Sequence, residues 1–166
     1  MKRLLWMVCA VFAFGGASVA QATVIDLFAT IDGAQANAGA GTGSAATGSA
    51  TMTFDDVSSL FSWDISWSGL EGTVTVAHFH GPATPGQNAG VQVDIGAISG
   101  LTSPSIGSTV IGTGQAADLL AGLWYVNIHS TQDPGGEIRG QVQVVPVPAA
   151  AWLLLSALAM LRVRRR

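Results

Sequence analysis

Between Phe61 and Ser68 the chain reads Phe-Ser-Trp-Asp-Ile-Ser-Trp-Ser, large apolar side chains alternating strictly with polar ones. A period of two is the repeat of an extended strand, and it demands a sheet with one buried and one wetted face. The alternation recurs in Val91-Gln92-Val93-Asp94-Ile95, and again where Ile138, Val142 and Val144 are set against Glu137, Arg139, Gln141 and Gln143. Further strand patterns lie near Val24 to Ile31, Ser49 to Asp55, Thr73 to His80, Ile106 to Ile111 and Leu123 to Ser130, divided by Gly, Pro, Ser and Asp clusters. The one helical pattern, Ala116 to Leu120, is long enough for a turn or two. Ala34 to Ala50 is rich in Ala, Gly, Ser and Thr and reads as a mobile loop. With 21 glycines and only 10% charged residues the chain does not suit a helical bundle or coiled coil. Residues 23–144 are enough for one all-β sandwich with its own core.

The two ends are built differently. Met1-Lys2-Arg3, the apolar run Leu4 to Phe14 and the small-x-small pattern Ala20-Gln21-Ala22 read as a signal peptide over 1–22, cut by signal peptidase after Ala22 or two residues earlier. The only cysteine, Cys9, lies inside that run, so the mature chain carries no thiol, no disulfide and no cysteine-based zinc site. At the other end Val145-Pro146-Val147-Pro148-Ala149 precedes an apolar stretch, Ala150 to Leu161, and an arginine cluster formed by Arg162, Arg164, Arg165 and Arg166. The prolines stop any preceding strand, and an apolar helix followed by arginines suits transient insertion in the inner membrane with the cations on the cytoplasmic side. This tripartite tail resembles the PEP-CTERM class of bacterial sorting signals in its Val-Pro-Leu-Pro-Ala form, with Val147 in place of leucine. The resemblance implies an exosortase-type transpeptidase as partner and the cell surface or extracellular matrix as destination.

Between those ends the charge is one-sided. All ten carboxylates lie from Asp26 to Glu137, and Arg139 is the only basic residue among them, a net of −9 that the basic ends raise to −3 for the chain. Such a domain repels nucleic acid and attracts cations. No Ser-His-Asp order with a nucleophile elbow, no Gly-rich phosphate loop after a strand and no cysteine nucleophile is present, so the residues favour a non-catalytic role. Asp55-Asp56 is too sparse for a calcium loop. Trp63 and Trp67 share their strand face with Phe61 and Ile65 and read as core rather than as a sugar-stacking platform.

Three histidines remain. In Ala77-His78-Phe79-His80-Gly81-Pro82, alternation sends His78 and His80 to one face and Phe79 to the other, which is how a strand offers two imidazoles to one ion. His129 closes Trp124-Tyr125-Val126-Asn127-Ile128-His129, where Tyr125, Asn127 and His129 form the polar face. Asp133-Pro134-Gly135-Gly136 is a turn, so this strand pairs with Glu137 to Val144 and gathers His129, Asn127, Glu137 and Arg139 on one side. Glu137 and Arg139 read as an ion pair or solvated edge rather than as an anion site. Spacing does not say whether His129 meets His78 and His80.

The segments Ala-His-Phe-His-Gly-Pro-Ala at 77–83, Trp-Tyr-Val-Asn-Ile-His-Ser at 124–130 and Gly-Gly-Glu-Ile-Arg-Gly-Gln at 135–141 resemble the signature segments of the CHRD domain, first named in the animal protein chordin. Their order and spacing fit across 23–144, and Ala34 to Ala50 departs from the pattern. The resemblance implies an all-β, immunoglobulin-like Greek-key sandwich and little about chemistry; with no catalytic motif present, the expectation is an exported, non-catalytic domain acting in adhesion, matrix assembly or ligand binding at the cell envelope. A thinner similarity to the copper/zinc superoxide dismutases, which also carry a His-x-His strand, implies the alternative of a periplasmic or extracellular copper protein. In that reading His78, His80 and His129 are ligands and Arg139 is an anion guide.

Overall fold

A computed structural model describes residues 23–146. The signal-peptide expectation, and the sorting-tail expectation from residue 147 onward, lie outside the described residues, and no helix within the described residues is long and apolar enough to cross a membrane.

The fold is all-β, as expected. Its strands are β1 (Val24–Asp32), β2 (Thr47–Asp55), β3 (Leu60–Ser68), β4 (Val74–His80), β5 (Val91–Asp94), β6 (Ser105–Val110), β7 (Tyr125–Ser130), β8 (Ile138–Gln141) and β9 (Gln143–Val144). The expected sandwich is realised as one antiparallel sheet curled onto itself, in the order β5-β4-β7-β8-β1-β2-β3-β6, with β9 added to β1. Its two halves face each other through aromatic side chains. Phe61 on β3 meets Phe79 on β4 at 5.0 Å between ring centroids and Trp124 at 5.7 Å, both edge to face. Trp63 meets Phe79 at 5.6 Å. Trp63 and Trp67 are buried in this core with Ile31, Ile65, Ile128 and Ile138. The alternation at 61–68 therefore does what its period requires.

Boundaries moved where small residues pack. The Ala34 to Ala50 stretch is not one mobile loop: Thr47 to Ala50 already belong to β2, and Ala36 and Ala46 are buried. Gly48 lies so close to Ser66 of β3 that a Cβ there would stand 2.6 Å from its carbonyl oxygen, so the low complexity reflects tight sheet packing. The rest of the loop is tied down, with Thr42 Oγ1 donating to the Glu137 carbonyl at 2.8 Å. Two short helices occur. α1 (Ile95–Ser99) ends the Val91 strand one residue early, capped by Asp94 Oδ1 on the Ala97 N–H at 2.9 Å. α2 (Thr113–Leu120) extends the helix expected at Ala116 to Leu120. The last strand pattern is divided into β8 and β9 at Val142, whose N–H donates to the Trp124 carbonyl.

Candidate metal centre

Antiparallel register builds the site. Reading across the sheet, Asp32 pairs with Arg139, Arg139 with Asn127, Asn127 with His78 and His78 with Asp94, a single polar row over five strands. Alternation puts Tyr125, His80 and Gln141 on the same face, while Ala77, Phe79, Val126 and Ile138 turn into the core. That polar face is not wetted. Every residue of β7 and β8 is buried, because residues 81–90 fold back across the strands.

Side chains of β4, β7 and β8 hold that returning loop. His80 Nδ1 lies 3.0 Å from the Ala89 carbonyl, and the Ala89 N–H donates to the Tyr125 hydroxyl at 3.1 Å. Arg139 Nη1 donates to the Gln87 carbonyl at 2.8 Å, and Gln141 Nε2 to the Ala83 carbonyl at 2.9 Å. The Tyr125 ring stacks on His80 at 5.1 Å and nearly parallel, and the Arg139 guanidinium sits 3.4 Å from the centroid of the same ring. A guanidinium over an aromatic face is held by the ring's negative quadrupole.

The three histidines converge. Ring centroids are 5.3 Å apart for His78 and His80, 5.3 Å for His78 and His129, and 5.8 Å for His80 and His129. One nitrogen from each lies within 4.8 Å of the others. Outer hydrogen bonds decide which nitrogens are free. His80 Nδ1 on the Ala89 carbonyl and His129 Nδ1 on the Pro134 carbonyl at 2.8 Å must both carry hydrogen, which leaves Nε2 of each ring with its lone pair. His78 Nε2 faces Asp94 Oδ2 at 4.0 Å. Its Nδ1, together with Nε2 of His80, is buried without a hydrogen-bond partner. Carbonyl or carboxylate partners on the far side of an imidazole are how proteins fix ligand tautomers.

Electrostatics agree with neutral ligands. Burial pushes the His80 imidazole below its ordinary value, the Ala89 carbonyl opposes that, and the nearby His78, His129 and Arg139 lower it further. Burial likewise lowers His129 against the pull of Pro134, with His78 adding to the effect. Both shifts favour the uncharged ring, the form that coordinates a metal.

The two charged residues at and just before β8, Arg139 and Glu137, depart from the expected pairing. Among the described residues they form no ion pair with each other, and neither is a solvated edge. Glu137 is wholly buried, its Oε1 accepting from Ser44 Oγ and the Glu71 N–H, each at 2.7 Å. Arg139 is occupied by Gln87, Asn88 and Gln141, which makes it a clamp on the loop rather than a guide for anions. Sequence reasoning missed Tyr125, Gln141, Asp94 and the Ala89 carbonyl as parts of the site. Tyr125 and Gln141 share the face period of Asn127 and Arg139, whereas the return of the loop has no periodic signal.

Residues 27–142 match the CHRD domain. No curated protein and no solved structure matches the chain.

Proposed function

Since the chain belongs to the CHRD domain family, we propose that it is an exported domain whose His78, His80 and His129 hold one transition-metal ion, copper or zinc. A single observation carries this reading: His78 Nδ1 and His80 Nε2 are buried nitrogens with no partner, in rings that converge with His129. An unpaired buried polar atom costs about 1–3 kcal/mol, and two of them facing a third imidazole are relieved together by one ion. Neutral imidazoles suit copper and zinc and do not suit calcium or magnesium, which take oxygen. Three ligands leave a position open. Calorimetric titration of the full chain with Cu(II) and Zn(II) is expected to give one ion per chain at micromolar affinity or tighter, abolished in His78→Ala and in His129→Ala. Affinity no better than that of free histidine rejects the metal reading.

The cell-surface role belongs to the same proposal. The backbone pairing of the domain ends at Val145, whose N–H donates to the Asp26 carbonyl at 2.9 Å. Among the described residues the last strand, β9, ends at Val144, so the Val145 to Ala149 motif follows it directly. This supports processing by an exosortase-type enzyme and a role in adhesion, matrix assembly or metal capture at the cell envelope.

A further inference from the structure

The charge around the histidines is unbalanced, and the imbalance names a second ligand. This inference rests on the metal reading and extends it. Three neutral imidazoles bring no negative charge to a divalent ion. Arg139, 2% exposed and always a cation, lies beside His80 and is met only by neutral groups: the Gln87 carbonyl, Asn88 Oδ1, Gln141 Oε1 and the Tyr125 ring. Asp94 is the one carboxylate touching the cluster. It stands at the rim, 52% exposed and 4.0 Å from His78, with its other oxygen engaged in capping α1. Asp32, opposite Arg139 across β1 and β8, forms no ion pair with it among the described residues, so a loaded site would hold a divalent ion and a guanidinium with no carboxylate in direct contact except Asp94 at the rim. Buried charge without a counter-charge is costly.

Asn127 supplies an independent observation. Its Nδ2 donates to the Gly135 carbonyl at 3.2 Å and, with its other hydrogen, to His129 Nε2 at 3.2 Å. The Gly135 bond fixes the amide with nitrogen toward the cluster. When a metal takes the His129 lone pair, that N–H loses its acceptor while still pointing at the ion. Asn127 is 94% buried, so water does not freely replace the bond. An acceptor seated on the metal restores it. His80 and His129 are each 8% exposed and His78 is 15% exposed, so the cluster is reached from the His78 side.

We propose that the loaded site takes a small exogenous anion at the metal's open position, received by the Asn127 Nδ2–H and balancing the charge of the metal and Arg139. The test uses the Cu(II)-loaded full chain, titrated with azide and followed by electron paramagnetic resonance and by the azide-to-copper absorption band. Wild-type protein is expected to change its copper signal and to saturate with azide. Asn127→Ala is expected to bind copper as well as wild type or better and to bind azide about tenfold more weakly, the size of one charge-assisted hydrogen bond. Asn127→Asp provides a second variant should the alanine protein not fold. Its carboxylate meets the charge itself, so copper tightens and the azide response is lost. A copper signal insensitive to azide overturns the proposal, as does equal azide affinity in wild type and Asn127→Ala. Weakened copper binding in Asn127→Ala with azide affinity unchanged also overturns it, since the asparagine would then be serving the metal rather than the anion. Failure to bind copper at all rejects the metal reading instead, and shows as a missing copper signal before azide is added.

Discussion

Glu137 and the histidines show how much a single residue's environment decides. Burial alone would raise the Glu137 carboxyl, but hydrogen bonds from Ser130, Glu71, Ser44 and Gly72 outweigh it and hold the group below its ordinary value. A carboxyl with a depressed folded value stabilises the fold above its unfolded value and loses that contribution as pH falls through the folded one. Glu137→Gln keeps the shape but turns an N–H₂ toward the Gly72 N–H, so it is expected to cost about 1–3 kcal/mol at pH 7. Urea unfolding of both proteins checks this. The gap should close below the ordinary glutamate value of about 4.3, and equal stability at pH 7 would remove the role assigned to Glu137. None of this was legible in the sequence. There the pair Glu137 and Arg139 has the spacing of two residues on a wetted strand face, and only the loops folding over that face make them buried and separate. The shared orientation of His78 and His80 was legible, because a period of two is enough to fix it. The arrival of His129 was not, because it depends on the β4–β7 register.

At the scale of elements, the turn from β7 to β8 sets the site's finest distance. Gly136 has φ +118°, a backbone state that L side chains rarely adopt, and a Cβ there would run into the Asn127 amide. Gly135, one residue earlier, has open space around its Cβ direction. Gly136→Ala is therefore expected to destabilise by about 1–3 kcal/mol and, by displacing Asn127, to weaken azide binding to the copper-loaded protein. Gly135→Ala should stay within about 0.5 kcal/mol of wild type. Thermal melts, and azide titrations of the two copper-loaded variants, separate them; equal effects would mean that the amide is not positioned by this turn. Strand existence was readable from alternation almost throughout, and the Asp133 to Gly136 turn from its residue types. The loop at 81–90 was not, since a segment of Pro, Gly, Ala and Asn carries no period that says which face it will cover.

For the whole molecule, one curled sheet keeps the aromatic core and the polar row on opposite faces of the same strands. The family and the all-β class followed from separated motifs and alternation. The closure into a single sheet did not, because it depends on β1 pairing with both β2 and β8 across the length of the chain. Removing residues 147–166 is expected to leave thermal stability within about 0.5 kcal/mol while changing how much protein is retained at the cell surface, read by fractionation and melting. Unchanged retention would end the sorting proposal, and a large loss of stability would mean that the tail belongs to the fold. The two ends of the described domain also lie at one end of β1: the Thr23 N–H is bonded to Asp56 beside its start, and Val145 is bonded to Asp26. The row that holds Arg139, Asn127 and His78 crosses β1 at Asp32, eight steps and roughly 26 Å along the strand at about 3.3 Å per residue. A domain tethered by either end would stand on one pole and carry its histidines near the other, exchanging ions with the outside medium rather than with the lipid beneath it.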